Sequence, residues 1–342
     1  MKLDSFQRLL EEYPSKRVGV VGDFILDEYV IGDTKRVSRE APVVVIDYRE
    51  SVYHPGGAAN AVQNVLSLGA STVVCGVVGD DREGQVLVDL LVKKGADVGL
   101  LFKDSLAATA VKTRIMAGEL NAQRQQIARI DKSGGTTINP EMLERLVSAA
   151  ETMVDGVDAV LFSDYGLGGA PDLLNRRIIR RCTDRGIPVV VDSRFRLLEF
   201  EGATAATPNE VELFEAMKLG HGEDRELAQL AAKVIERQRL AGLIITRGSK
   251  GMHVCDSHGR SDRIGIVGSH DATDVTGAGD TVAAAVALSL ACGSSLIEAA
   301  VMATYAAAVV VMKRGTATVS RSELEAIRDK YSSPRLDTVV DR

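Results

Sequence analysis

Short apolar runs rich in β-branched residues recur along the chain, each followed by apolar residues at helical spacing. The runs are Arg17–Val21 (RVGVV), Thr72–Val78 (TVVCGVV), Asp158–Phe162, Pro188–Val191 and Gly242–Thr246. The helical stretches are Ala58–Leu68, Glu83–Lys94, Pro140–Val154, Pro171–Arg185 and Asp224–Arg239. A strand that is apolar at every position must bury both faces. Alternation of such strands with helices predicts an α/β fold, a mostly parallel sheet covered on both sides. The binding crevice of such a sheet lies beyond the carboxyl ends of its strands.

Two stretches break the alternation. Residues 28–53 hold the strand-like runs Tyr29–Ile31 and Val43–Tyr48 with no helix between them. Residues 108–130 repeat the pattern with Ala110–Ile115 and Gln126–Ile130. These read as a small antiparallel sheet projecting as a lid, or else as two ordinary edge hairpins. Tyr331–Arg342 is polar and without periodicity, which predicts a frayed tail. The expectation is one domain over residues 1–330, with lid segments at about 28–53 and 108–130, and a tail at 331–342.

Charge and composition narrow the function. The 342 residues carry 41 Lys+Arg against 47 Asp+Glu, a net charge of −6, and only 4% are aromatic. A nucleic-acid binder needs a basic footprint and stacking platforms, and both are missing. Val282–Cys292 and Ala299–Met312 are apolar but shorter than the roughly 18 residues a membrane span needs, so both read as buried helices. Met1–Lys16 is interrupted by Asp4, Glu11 and Glu12 and has no apolar core segment, unlike a signal peptide. Cys75, Cys182, Cys255 and Cys292 lie far apart with no metal-ligand spacing. They read as reduced core thiols of a cytoplasmic protein. His54, His221, His253, His258 and His270 also lack metal spacing and read as surface or loop residues.

One segment carries chemistry: Asp274-Val275-Thr276-Gly277-Ala278-Gly279-Asp280, followed by the apolar run from Thr281. Small residues form a turn into a helix whose first N–H groups have no helical acceptor. Those of Gly277, Ala278 and Gly279 point along the positive end of the helix dipole, an anion site. Asp280 beside an anion is electrostatically odd unless it accepts a proton from a hydroxyl attacking that anion. The plainer reading makes it a favourable acid in a first helical turn. Other nucleotide motifs are absent: there is no G-x-x-x-x-G-K-[ST], and no G-x-G-x-x-G follows a strand.

Asp274–Asp280 resembles the D-T-x-G-A-G-D signature of the ribokinase/PfkB carbohydrate kinases. Pro55-Gly56-Gly57-Ala58-Ala59-Asn60 resembles a second signature, Thr207–Glu212 a third and Thr246–Gly251 a fourth. All four occur in family order over residues 17–325. The resemblance implies a ribokinase-like three-layer sandwich with a β-sheet lid, and an enzyme that moves the γ-phosphate of ATP to a sugar hydroxyl. Position by position, it implies that Asp280 is the base and that Gly277, Ala278 and Gly279 form the anion hole. Asp27, Gly56, Gly57 and Asn60 match sugar-binding positions. Asn209, Thr246, Arg247, Gly248, Gly251, Gly279 and Thr304 fall on the nucleotide side. Glu212 matches a Mg²⁺ position, directly or through water, and Asp274, Thr276 and Gly315 match a monovalent cation site, such as K⁺. Asn209-x-x-Glu212 also has the form of a helix capping box, and Thr246–Gly251 that of a plain strand–turn–strand.

Within that family the chain is most similar to the bacterial heptose-7-phosphate kinases. The carriers are Gly22–Tyr29, Val37–Val43, Ser163-Asp164-Tyr165 and Gly315–Ser320. This implies phosphorylation of the anomeric hydroxyl of D-glycero-β-D-manno-heptose 7-phosphate, on the way to ADP-heptose. A substrate that already bears phosphate needs fixed cations, and Arg39, Arg129 and Arg194 are the candidates. The chain departs from that subgroup where Ser-Asp-Tyr-Ala-Lys-Gly becomes Ser163–Gly168 without its Lys, and Asp-Pro-Lys becomes Asp192-Ser193-Arg194. It also lacks the H-x-G-H motif of fused nucleotidyltransferases, so adenylylation is expected to need another protein. The alternatives are a kinase for another sugar or nucleoside, a non-catalytic sugar- or nucleotide-binding regulator, and a dehydrogenase disfavoured by its missing fingerprint. Open edges on a lid sheet predict a homodimer through the lid.

Overall fold

The computed structural model describes residues 3–118, 124–133, 138–220, 224–269, 271–331 and 333–338. His221, His270 and parts of the expected lid and tail (119–123, 332, 339–342) lie outside the described residues. The elements follow in the order α1 (Leu3–Glu12), β1 (Arg17–Gly22), β2 (Phe24–Val37), β3 (Val44–Gly57), α2 (Ala58–Ser67), β4 (Ser71–Gly79), α3 (Arg82–Lys93) and β5 (Asp97–Asp104). Next come β6 (Ala110–Gly118), β7 (Gln125–Lys132), α4 (Pro140–Val154), β8 (Ala159–Asp164), α5 (Asp172–Arg185), β9 (Val189–Ser193), β10 (Ala205–Ala206), α6 (Glu210–Ala216), α7 (Asp224–Gln238) and β11 (Gly242–Thr246). The chain closes with β12 (Met252–Asp256), β13 (Ser261–Ile264), α8 (Ala278–Ala291), α9 (Leu296–Val310), α10 (Arg321–Lys330) and β14 (Leu336–Thr338).

Ten strands form the main sheet in the order β14-β13-β12-β11-β10-β9-β8-β1-β4-β5. From β5 to β11 every pairing is parallel, and β12, β13 and β14 add on antiparallel. The apolar runs are continuous because successive side chains enter two different cores. Val18 and Val20 of β1 join the core under α2, α8 and α9, whereas Val21 joins the core under α4, α5 and α7. Likewise Leu161 of β8 packs on the first side and Val160 and Phe162 on the second. The result is three layers, helix on sheet on helix. Helices α8 and α9 are alanine-rich and buried around most of their circumference. Their small side chains let the two helices approach closely and seat α8 tightly against the sheet.

The smaller sheet runs β3-β2-β6-β7 and stands apart as the lid. Its first two strands are 14 residues each, far longer than the apolar runs that announce them. Register shifts at Ile31/Gly32 and Thr34/Arg36 carry β2 past its polar residues without breaking the ladder. Strand β3 continues through Pro55–Gly57, so the segment matched to a sugar-side loop is a strand end that runs directly into α2. The expected frayed tail also needs correction, because Leu336–Thr338 pairs antiparallel with Asp262–Ile264. The ladder is anchored by Thr338 Oγ1, which donates to the buried Asp262 at 2.7 Å. All four cysteines are buried and none is disulfide-bonded. His253, expected at the surface, is buried in β12 with Nε2 2.6 Å from Ser261 Oγ.

Candidate active site

Helix α8 starts at the carboxyl edge of the main sheet. Its N-cap, Gly277, has φ +76°, a left-handed conformation that favours glycine. A Cβ at Gly277 would lie 2.6 Å from Asn60 Nδ2, so glycine is required on two counts. Gly277 and Gly279 line a cleft of about 560 Å³. Ala278 differs from expectation: its N–H donates to the Val275 carbonyl at 3.2 Å, and the residue faces a neighbouring cleft. Of the three residues of this turn, Gly277 and Gly279 line the first cleft.

Asp280, in the first turn of α8, is 3% exposed yet lines the cleft. Asn60 Nδ2 donates to its Oδ2 at 2.8 Å, and Tyr165 Oη donates to its Oδ1 at 2.9 Å. Burial pushes its carboxyl up from 3.8 to about 6, against the two donors and the charge of Lys112. A carboxylate with that proton affinity is ionised at neutral pH and still able to take a proton, as a general base requires. Asn60, matched to a sugar-binding position, is 0% exposed and outside the cleft walls. Its amide is engaged by Asp280.

The lid supplies the opposite wall. Asp27 on β2 sits directly beside Lys112 on β6, and Tyr29 beside Arg114. Arg114 in turn faces Arg129 on β7. Arg114 Nη1 donates to Asp27 Oδ1 at 2.7 Å within the cleft. A Cβ at Gly56 would stand 2.5 Å from Asp27 Oδ2, so Gly56 makes room for that carboxylate while Gly57 reaches the cleft. Burial lowers the Lys112 ammonium below its usual range. Arg194 completes the cationic lining, whereas Arg39 is exposed on the β2–β3 hairpin and does not reach the cleft.

A second cleft of about 430 Å³ adjoins the first and shares Asn209, Thr246, Val275 and Gly279 with it. Gly248, Gly251, Thr304 and the apolar Met252, Ile266, Val267, Val282 and Ala307 also line it. Such a wall suits a flat heterocycle rather than a sugar. Asn209 and Glu212 do form a capping box, with Asn209 Oδ1 accepting from the Glu212 N–H and Glu212 Oε2 from the Asn209 N–H, both at 2.9 Å. Both also line the first cleft, so the capping and site readings coincide. Burial raises the Glu212 carboxyl. Arg247, matched to the nucleotide side, has a buried guanidinium that donates to Glu210 Oε1 at 2.7 Å and lines neither cleft. Asp274, Thr276 and Gly315 do come together, with the Thr276 and Gly315 N–H groups donating to the two oxygens of Asp274 at 2.9 and 2.8 Å. Both carboxylate oxygens are thus partly engaged before any cation arrives. Among the described residues no group of three or more His, Cys, Asp or Glu could hold a metal ion.

The site residues that sequence reasoning missed are Tyr165, Lys112 and Arg114. Lys112 and Arg114 carried a signal, since cations two apart on a strand share a face. Tyr165 was visible only as part of a subgroup motif.

The description "pfkB family carbohydrate kinase" matches residues 15–323. Bifunctional protein HldE of Methylobacillus flagellatus is 36% identical over 325 residues, covering 94% of this chain and 65% of its own length. HldE of Azorhizobium caulinodans is 36% identical over 327 residues, covering 95% and 67%. The chain thus spans about two thirds of the length of these relatives. The structure of Arabidopsis thaliana ribokinase complexed with ribose and ATP superposes with a TM-score of 0.72 at 21% identity, over 91% of this chain and 98% of that one. Phosphofructokinase-2 from Escherichia coli in complex with potassium gives 0.72 at 18% identity, over 92% and 98%. At such identities the likeness is one of fold.

Proposed function

The chain belongs to the pfkB family of carbohydrate kinases, phosphotransferases acting on a sugar hydroxyl, and from that premise we propose that it phosphorylates the anomeric hydroxyl of D-glycero-β-D-manno-heptose 7-phosphate with ATP. The observation that carries the reading is Asp280, a buried carboxylate at a helix start, facing a cleft with cations on one wall and an apolar cleft beside it. The adenine end of ATP suits the apolar cleft. The sugar suits the space between Asp280 and the lid, where Asp27 offers an acceptor for hydroxyl groups. Although the subgroup's two lysines are absent, Lys112, Arg114, Arg129 and Arg194 supply cationic lining of the same cleft. That supports a substrate already bearing phosphate, as does the 36% identity to proteins named HldE.

In this reading Asp280 takes the hydroxyl proton as the sugar oxygen attacks the γ-phosphorus, and the bond to ADP breaks. The Gly277 and Gly279 N–H groups stabilise the charge on the transferring group, each worth about 3 kcal/mol in such a role. Alignment of the reactants supplies much of the remaining rate, because a loose transition state needs little covalent help. Mg²⁺ would neutralise phosphate charge, and Glu212 fits it as a half-buried oxygen donor, the remaining positions falling to water and phosphate. Asp274, Thr276 and Gly315 are proposed for K⁺ through the remaining lone pairs of the carboxylate. A homodimer through the lid is supported by Val37, Val44, Tyr48, Ile127 and Ile130, all exposed on lid strands. Cytoplasmic placement agrees with ATP use, and among the described residues no helix is long and apolar enough to cross a membrane.

The test is a panel of phosphorylated and free sugars and nucleosides with coupled ADP detection. Turnover restricted to the heptose phosphate, abolished in Asp280→Asn, is expected. Turnover only with free sugars overturns the substrate while leaving the kinase, and turnover unchanged in Asp280→Asn overturns the base.

A further inference from the structure

We propose that Tyr165 is a positioning residue for the base: its hydroxyl holds one oxygen of Asp280 while Asn60 holds the other, and the pair keeps the carboxylate oriented and ionised toward the sugar cleft. The inference rests on the kinase reading above, because it concerns the proton-accepting group of that reaction.

The geometry is two-sided. An aspartate carboxyl has a broad torsional preference about its last bond, so a donor to one oxygen leaves its plane free. Here Asn60 Nδ2 reaches Oδ2 at 2.8 Å from α2, and Tyr165 Oη reaches Oδ1 at 2.9 Å from the turn after β8. The two donors come from different elements and together fix the plane. They also act against desolvation, since hydrogen bonds to the charged form favour that form. Of the two, only Tyr165 lines the cleft, so it is the donor a substrate meets.

The turn that carries Tyr165 is built with unusual care. Asp23, 3% exposed, accepts the N–H of Tyr165 at 2.7 Å, of Leu167 at 3.0 Å and of Gly169 at 2.7 Å. A Cβ at Gly169 would fall 2.4 Å from the Gly22 carbonyl oxygen, so the turn can close on β1 only with glycine there. From the lid, Lys112 Nζ sits 4.6 Å from the centre of the Tyr165 ring. The ring is thus held from the sheet side and from the lid side, with its hydroxyl directed at Asp280.

Tyr165 is not itself the base. Burial and the charges of Asp280, Asp192 and Asp27 push its phenol well above the usual range. It keeps its proton while the acceptor's O–H proton passes to Asp280. The sugar oxygen bonds to phosphorus and the leaving electron pair stays on ADP. The other charged groups facing Asp280 are Lys112 from β6, Asp27 from β2 and Asp192 from β9. Asp164, at the end of β8, is engaged by Ser193 Oγ at 2.6 Å.

The experiment combines kinetics with direct titration. In ¹³C-aspartate-labelled protein without ligand, the Asp280 carboxyl signal is assigned by its loss in Asp280→Asn. The Tyr165→Phe variant keeps the ring under Lys112 and removes only the hydroxyl. The expected result is a rise of about one unit in the Asp280 midpoint, the same rise in the acid limb of kcat/KM, and kcat lowered about tenfold with the ATP KM within twofold. 3,5-Difluorotyrosine at position 165, a stronger donor, moves the midpoint the other way and stands in if the phenylalanine variant fails to fold. A midpoint unchanged by either replacement overturns the proposal, whatever the activity. If the midpoints move as expected but the wild type phosphorylates nothing in the panel, the kinase reading falls and the positioning of Asp280 stands.

Discussion

The proton affinity of Asp280 makes stability and activity depend on pH in opposite directions. Burial raises this carboxyl from 3.8 to about 6 in the folded chain. Between those values the folded protein binds a proton that the unfolded chain does not, so stability falls as pH rises through that window. A shift of about two units corresponds to about 3 kcal/mol of stability, most of it lost between roughly pH 4 and pH 7. Activity runs the other way, because only the ionised form can accept the proton, so log kcat/KM rises with unit slope below pH 6 and levels off above it. Asp280→Asn removes the titrating group while leaving the rest of the chain's ionisation largely in place. Denaturant unfolding of both proteins from pH 4 to pH 7 isolates the effect as a difference. The wild type is expected to lose about 2.5 kcal/mol relative to the variant over that range. The carboxyl of Asp192, held well above its usual range partly by Asp280, relaxes in the variant and adds to the difference with the same sign. Parallel stability curves for the two proteins would refute the reasoning, since they would mean that Asp280 titrates alike folded and unfolded.

Other substitutions separate roles that sequence alone ran together. Gly277→Ala meets both a left-handed backbone and Asn60 Nδ2 at 2.6 Å, so it should lower stability by about 1–3 kcal/mol and kcat at least a hundredfold; thermal melting and steady-state kinetics would show it. In Gly56→Ala the new methyl displaces Asp27 Oδ2, 2.5 Å away, and the sugar KM should rise more than tenfold while the ATP KM stays within twofold. Arg247→Ala should lower the melting temperature, because it strands Glu210 beside a vacated ion pair, yet leave the ATP KM unchanged; a large rise in that KM would return Arg247 to the nucleotide site. Tyr48→Glu on the lid should shift a dimer toward monomer in sedimentation velocity, and a monomeric wild type would dispose of the lid interface.

What could be read in advance follows from how far apart in the chain the cooperating residues lie. Strands β1, β4, β8, β9 and β11 announced themselves because each is buried on both faces and so carries a continuous apolar run with its polar residues at the ends. Strand β5 did not, because it is an edge strand with alternating exposure in Asp97–Asp104. The lid strands were found but cut short, since the polar Gly32, Asp33 and Thr34 interrupt the apolar run and only register shifts carry them through the ladder. The tail strand has no periodic signature in three exposed residues and gains its place only by pairing with β13. In the cleft, the grouping of Gly277, Gly279 and Asp280 was legible because they are neighbours in one turn. Tyr165 lies 115 positions from the carboxylate it serves, and nothing local distinguishes its hydroxyl from that of any tyrosine in a turn. The partner of Arg247 was hidden for a similar reason, since its motif says nothing about Glu210, 37 positions away, which claims the side chain.

The charges acting on Asp280 come from two bodies, and that division bears on how a kinase of this shape avoids wasting its donor. Asn60 and Tyr165 belong to the helix and turn of the main domain, so their donors stay with the carboxylate wherever the lid stands. Lys112, which lowers the proton affinity of Asp280, and Asp27, which raises it, belong to lid strands. Asp27 is itself held by Arg114 at 2.7 Å, so much of its charge is answered within the lid. Lys112 is the less compensated of the two, with its ammonium half-buried over the Tyr165 ring. Withdrawing the lid therefore removes a cation from Asp280 and admits water to the cleft. On the proposed reading, the base is best matched to its task with the lid's charges in place, the arrangement in which water is excluded and a sugar is the available nucleophile. Lys112→Met tests this coupling with a single methylene-rich replacement. The acid limb of kcat/KM should move upward while unstimulated ATP hydrolysis, measured without any acceptor, stays at its wild-type rate. A limb that does not move would show that the lid excludes water without tuning the base.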